Sequence, residues 1–223
     1  MIVFLGDSFT WGQGLNLEKW NIEGNIDNKE YILPPEFNPE LNSYEDDEYR
    51  KKHHFPNLVS NYLNKSYCSI WGNGGSNKNI IDILKNINSQ FYAGIDSSID
   101  FFVIQFTCPS RSLPDDFSDE AMEGEIIKVN DIITAYGKKW VGFSWRPEVG
   151  NLLKFKWKNN YIPLYYNEVE YSNFEELLKE NEESHILTLD KKYQKQSDGH
   201  FSLEGHQLVA NSIIRKLQKN NIY

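Results

Sequence analysis

The stretch MIVFLGDSFTWGQG, residues Met1 to Gly14, decides how the rest of the chain is read. Met1 to Leu5 are apolar without alternation. That pattern suits a strand buried on both faces, as in a parallel sheet. The chain then breaks at Gly6 and presents Asp7, Ser8 and Thr10 before further breaks at Gly12 and Gly14. Open α/β sheets bind ligands just beyond the carboxyl ends of their strands. Ser8, directly after a buried strand, is therefore the first candidate for chemistry.

Further along, the same unit recurs. Phe55–Asn64 has a helical apolar face, followed by a short strand at Tyr67–Trp71 and a polar turn over Gly72–Asn77. A helix is expected at Asn79–Phe91 and a strand at Phe101–Phe106, which ends in Thr107-Cys108-Pro109-Ser110-Arg111. A helix over Glu120–Tyr136 leads to a strand over Trp140–Trp145, stopped near Arg146-Pro147. Leu152–Tyr171 is aromatic-rich and fits either a hairpin or a loop with a short helix. A helix at Asn173–Glu183, a short strand at Ile186–Leu189 and a helix over Ser202–Lys219 complete the chain. Strands alternating with helices imply an α/β fold: a three-layer α/β/α sandwich around a mostly parallel sheet. The expected organisation is one domain over residues 1–223.

Residues Gly12 to about Phe55 interrupt this regularity. They hold Pro34, Pro35, Pro39 and the acidic run Glu45-Asp46-Asp47-Glu48. This composition predicts an irregular insertion, a long structureless loop or short helices, and not core. Leaving from the carboxyl end of the first strand, it reads as a lid or substrate-binding wall, or as a solvated excursion. Trp11 is a candidate apolar contact for a ligand.

Composition narrows the function classes. The formal charge of −9 over 223 residues supplies no net positive field for a nucleic-acid backbone. No apolar run approaches membrane-spanning length. No basic run precedes the first apolar segment, so it reads as a core strand and not a signal peptide, with the cytoplasm as expected compartment. Cys68 and Cys108 read as buried free thiols. His53-His54 has no partner at metal-ligand spacing, so no metal or cofactor is expected.

A parallel strand order would gather the polar strand ends at one edge of the sheet. Ser8 follows the first strand, Gly72–Asn77 the second, Thr107–Arg111 the third, and Asp198-Gly199-His200 precedes the last helix. A serine hydroxyl needs a base to become a nucleophile. His200 can be that base, and Asp198 can fix its tautomer from the other ring nitrogen. Backbone N–H groups of Ser8 and of Gly74 or Gly75 could stabilise an oxyanion, helped by a side chain from the third strand end. Asn77, Arg111 and Arg146 are candidate substrate contacts.

This arrangement resembles the SGNH (GDSL-like) hydrolase family. Gly6-Asp7-Ser8 is similar to its first block, Asn73-Gly74-Gly75-Ser76-Asn77 to its second, and Asp198-Gly199-His200-Phe201-Ser202 through Gly205-His206 to its last. The resemblance implies a flavodoxin-like sandwich, Ser8 as nucleophile and His200 as base. It also implies oxyanion donors at Ser8, at Gly74 or Gly75, and at the third block. That block commonly reads Gly-x-Asn-Asp; here it reads Gln105-Phe106-Thr107-Cys108, placing Thr107 near the asparagine position, with Gln105 as the alternative. The family's acid usually stands three residues before the histidine. Ser197 occupies that position, which leaves Asp198 with Asp190 as fallback. The implied activity is hydrolysis of a carboxylic ester, such as a small acyl group on a glycosyl or other polar alcohol. A noncatalytic carbohydrate-binding or structural module on the same fold is the rival.

Overall fold

The structure is a computed structural model, and it describes residues 1–7, 10, 12, 15, 44–71, 75–87, 98–107, 118–180 and 201–222. Four strands form the central sheet: β1 (Ile2–Gly6), β2 (Tyr67–Trp71), β3 (Phe101–Phe106) and β4 (Lys139–Ser144). Their order is β2-β1-β3-β4 and every pairing is parallel. In β1 and β3 every residue is buried, which is why their sequences do not alternate. Along the far side of β4, Gly142 N–H donates to Asn160 O and Ile162 N–H donates to Gly142 O, both at 2.8 Å. The chain at residues 160–162 thus runs parallel to β4 as a rudimentary edge.

Successive side chains of each strand feed opposite layers. Ile2, Phe4, Phe101, Val103, Val141 and Phe143 pack against α2 (Phe55–Leu63), α6 (Phe174–Glu180) and α7 (Leu203–Asn220). Val3, Leu5, Phe102, Ile104 and Phe106 pack against α3 (Asn77–Lys85), α4 (Asp119–Ala135) and α5 (Pro147–Lys156). The result is the expected α/β/α sandwich.

One helix falls within the sequence expectation and another departs from it. Within the insertion, Tyr44–His53 is a short helix, α1. Its sequence, YEDDEYRKKH, lacks an apolar period. Its last turn carries Arg50, Lys51, Lys52 and His53, the end at which positive charge complements the helix dipole. Gly12 lies against it: a Cβ there would come within 3.3 Å of Arg50 Cγ and 3.0 Å of His54 Cβ, and its φ is +92°. Most of the remaining insertion lies outside the described residues. The departure is α5. Pro147 stops β4 and also occupies the first turn of a helix, where its missing N–H costs nothing.

After α5 the chain forms an antiparallel hairpin, β5 (Leu164–Tyr166) and β6 (Val169–Tyr171). Asn167 and Glu168 make its turn at φ 48° and 66°, the positive values that two-residue hairpin turns require. The expected strand at 186–189 lies outside the described residues. Cys68 is half-buried instead of buried, and its surroundings push the thiol pKa up. No helix among the described residues is long and apolar enough to cross a membrane.

Candidate active site

In the order β2-β1-β3-β4 the chain leaves β1 for one side of the sheet and later returns on the other. The strand order therefore reverses between β1 and β3, and open α/β sheets form their ligand crevice at such a point. Two hydrogen-bonded clusters occupy the carboxyl edge there.

The first cluster spans β1 and β3. Asp7, fully buried, follows Gly6 at the end of β1. Its Oδ1 accepts from Nε2 of Gln105 at 2.7 Å. The Oε1 of Gln105 accepts from the Thr10 hydroxyl at 2.5 Å, and Thr10 N–H donates to Asp7 O at 3.0 Å. One side chain of β3 thereby bonds both Asp7 and Thr10, which stand on either side of Ser8 in the sequence. Gly6 is the residue that leaves room. A Cβ on it would stand 2.0 Å from Thr10 Oγ1 and 2.9 Å from Gln105 Oε1. Gln105, considered as an alternative oxyanion donor, has both ends of its amide engaged in this cluster.

The second cluster joins the start of α3 to the end of β3. Ser76 caps α3 in a reciprocal capping box with Asn79. Asn77 is fully buried in the first turn. Its Oδ1 accepts from Thr107 N–H at 2.8 Å, and its Nδ2 donates to Glu125 Oε2 on α4 at 3.0 Å. The Asn77 side chain is thus engaged within the protein on both of its polar atoms. Thr107 is also fully buried, yet its Oγ1 has no hydrogen-bond partner among the described residues. A buried hydroxyl ordinarily finds one.

Ser144, at the end of β4, donates to Phe106 O at 2.9 Å and accepts from Arg146 N–H at 3.1 Å. Arg146 is thereby tied to the same edge. Its guanidinium lies 5.1 Å from the Trp145 ring centre and 3.4 Å from Glu148 Oε1, while its buried Nε has no partner among the described residues. At the amino end of α7, Phe201 is fully buried with its ring 4.4 Å from Phe174, and Ser202 caps the helix by accepting from Gly205 N–H. Phe201 anchors the chain immediately after His200. His206 packs beside Phe201 and accepts from Phe55 N–H at 3.2 Å, so it serves as both packing and cap. His54 bonds the Tyr67 hydroxyl at 3.0 Å.

Of the residues expected at the site, Thr107, Asn77, Gly75 and Arg146 are described, and Gly75 is buried beside the cap of α3. Ser8, Gly74, Trp11, Arg111, Asp190, Asp198 and His200 lie outside the described residues. Sequence reading did not single out Glu125 or the Gln105–Thr10 link. A signal for Gln105 was present: it is the one polar residue in FFVIQF, and a buried amide must be satisfied.

The fold is that of the GDSL/SGNH-like hydrolases. A G-D-S-L family protein from Desulfitobacterium hafniense DCB-2, assigned as lipolytic, is similar over 97% of this chain and 98% of its own (12% identity, TM-score 0.50). LAE5, an alpha/beta hydrolase enzyme from the metagenome of Lake Arreo, Spain, is similar over 99% of this chain and 95% of its own (12% identity, TM-score 0.53). A carbohydrate esterase whose active site displays divergent catalytic and non-catalytic binding functions is similar over 98% of this chain and 64% of its own (14% identity, TM-score 0.51). No family model and no curated protein matches the sequence. At these identities the likeness is one of fold, and one fold hosts many reactions.

Proposed function

We propose that this chain is a serine ester hydrolase acting through an acyl-serine intermediate. His200 takes the proton of Ser8 as the serine oxygen attacks an ester carbonyl, and Asp198 holds the imidazole. The oxyanion is stabilised by the N–H of Ser8, the N–H of Gly74 or Gly75, and the hydroxyl of Thr107. His200 then protonates the leaving alcohol. Water, activated by the same histidine, releases the acid and restores Ser8. The substrate is a small acyl group on a polar, glycosyl-type alcohol, and Arg146 and Arg111 are its candidate contacts.

The observation that carries this reading is the buried, unpartnered hydroxyl of Thr107 at the carboxyl end of β3. A donor left idle in the free protein suits a group whose acceptor arrives only with the reaction. The cradle around Gly6, Asp7 and Thr10 supports it, because it shapes the loop bearing Ser8. The carbohydrate-esterase neighbour supports the glycosyl alcohol.

A panel of short-chain and sugar-acetyl nitrophenyl esters tests the proposal, together with an active-serine phosphonate probe. Ester cleavage and labelling are expected in the wild type and absent in Ser8→Ala. Hydrolysis unchanged by Ser8→Ala removes the assignment. No cleavage and no labelling in the wild type replaces it with the noncatalytic module.

A further inference from the structure

The second cluster assigns a role to two residues linked to the Thr107 backbone. We infer that Asn77 and Glu125 are positioning residues that set where the Thr107 hydroxyl points, an inference that rests on the ester-hydrolase reading. Thr107 follows β3 directly, where the ladder with β4 ends at the pair Phe106–Ser144. Beyond that pair its N–H has no ladder partner and is taken instead by Asn77 Oδ1 at 2.8 Å. Asn77 is itself fixed from behind, because its Nδ2 donates to Glu125 Oε2 at 3.0 Å and lies 3.6 Å from Met122 Sδ. The relay therefore runs from α4 through the first turn of α3 to the carboxyl end of β3. All three residues are buried, with Asn77 and Thr107 at 0% exposure and Glu125 at 6%.

The orientation of the amide is what the relay specifies. Asn77 must present its carbonyl to the Thr107 N–H and its NH₂ to the Glu125 carboxylate. A carboxylic side chain at 77 would face Glu125 without a donor between them. The family resemblance places Thr107 near a position commonly held by asparagine. A threonine hydroxyl is shorter and rotates, so its reach depends on how firmly the backbone beneath it is held. The relay supplies that hold. Because an oxyanion exists only in the transition state, its loss falls on kcat and leaves KM in place.

The test compares Asn77→Asp with the exchanged pair Asn77→Asp/Glu125→Gln, using kcat, KM and thermal unfolding with an ester the wild type cleaves. In the pair the donor is restored from the other side, since a glutamine at 125 can donate to an aspartate at 77. Asn77→Asp is expected to lower kcat about 100-fold with KM within about twofold, the scale of a misplaced reacting group. The exchanged pair is expected to recover most of that loss. Should Asn77→Asp not fold, Glu125→Ala takes its place: it keeps the Thr107 contact but frees the amide, and about a tenfold fall in kcat alone is expected. An unchanged kcat in the folded single variant overturns the inference, as does a kcat loss that the exchanged pair does not recover. A wild type that neither cleaves esters nor reacts with the phosphonate probe overturns the parent reading instead, and is seen before any variant is made.

Discussion

Nε2 of Gln105 donates to Oδ1 of Asp7 across the point where the strand order reverses, at 2.7 Å and away from water. This bond joins residues 98 positions apart and ties the loop after β1 to the neighbouring strand. Gln105→Ala should leave the Asp7 carboxylate without this donor and the Thr10 hydroxyl without its acceptor. A loss of about 2–3 kcal/mol in denaturant unfolding is expected, with a fall in ester turnover. Gln105→Ala as stable as the wild type would show that the cradle is not built on this side chain.

Gly6→Ala tests the same cradle from below. The added methyl would sit 2.0 Å from Thr10 Oγ1, beyond what a small shift of a flexible side chain can relieve. Overpacking at such a site costs about 1–3 kcal/mol. The variant should unfold at lower denaturant with an unchanged m value and turn over ester more slowly, because the displaced Thr10 is part of the loop that carries Ser8.

Thr107→Val separates function from stability. Valine keeps the shape and removes a buried hydroxyl that has no partner among the described residues. Its stability should equal the wild type's or exceed it by about 1 kcal/mol. Its kcat should fall about 100-fold, the size of a lost oxyanion donor. Thr107→Ser should retain most of the activity. Equal kcat in Thr107→Val would remove the hydroxyl from the mechanism.

Asp100 gives a pH dependence remote from the site. The Lys65 ammonium at 2.8 Å, with the Met1 ammonium also at 2.8 Å, lowers its pKa below the usual 3.8. A depressed folded pKa contributes stability above the unfolded value, and this is lost as pH falls through the folded value. Wild type should therefore lead Asp100→Asn near neutral pH, with the lead vanishing in acid. The pair is largely exposed, so the lead should be small and shrink in high salt. Unfolding curves at several pH values check both points; a constant lead would contradict the assignment.

Local pattern reached far into the fold. β1 and β3 are legible because strands buried on both faces need apolar residues throughout, and α2, α4 and α7 because each lays an apolar stripe on the sheet. Helix α1 was legible only as one of two alternatives, a loop or a short helix, because its sequence carries no apolar period and its basic last turn is a signal that periodicity does not detect. Helix α5 was hidden by Pro147, which can stop a strand and begin a helix alike.

The opening stretch Met1–Gly14, the turn before Asn77 and the block around His200 suggested candidate chemistry at strand carboxyl ends; of these, the described residues show the end of β1 at Asp7 and the end of β3 at Thr107. A parallel α/β alternation puts successive strand ends on one edge whatever the side chains are. Which polar groups bond to which was decided by the tertiary structure alone. Gln105 meets Asp7 and Thr10, and Asn77 meets Thr107 and Glu125, across separations of 30 to 98 residues. No local period encodes such pairs. They form because folding buries these groups together, where each must find a partner, and the hydroxyl of Thr107 is left over when the pairing is done.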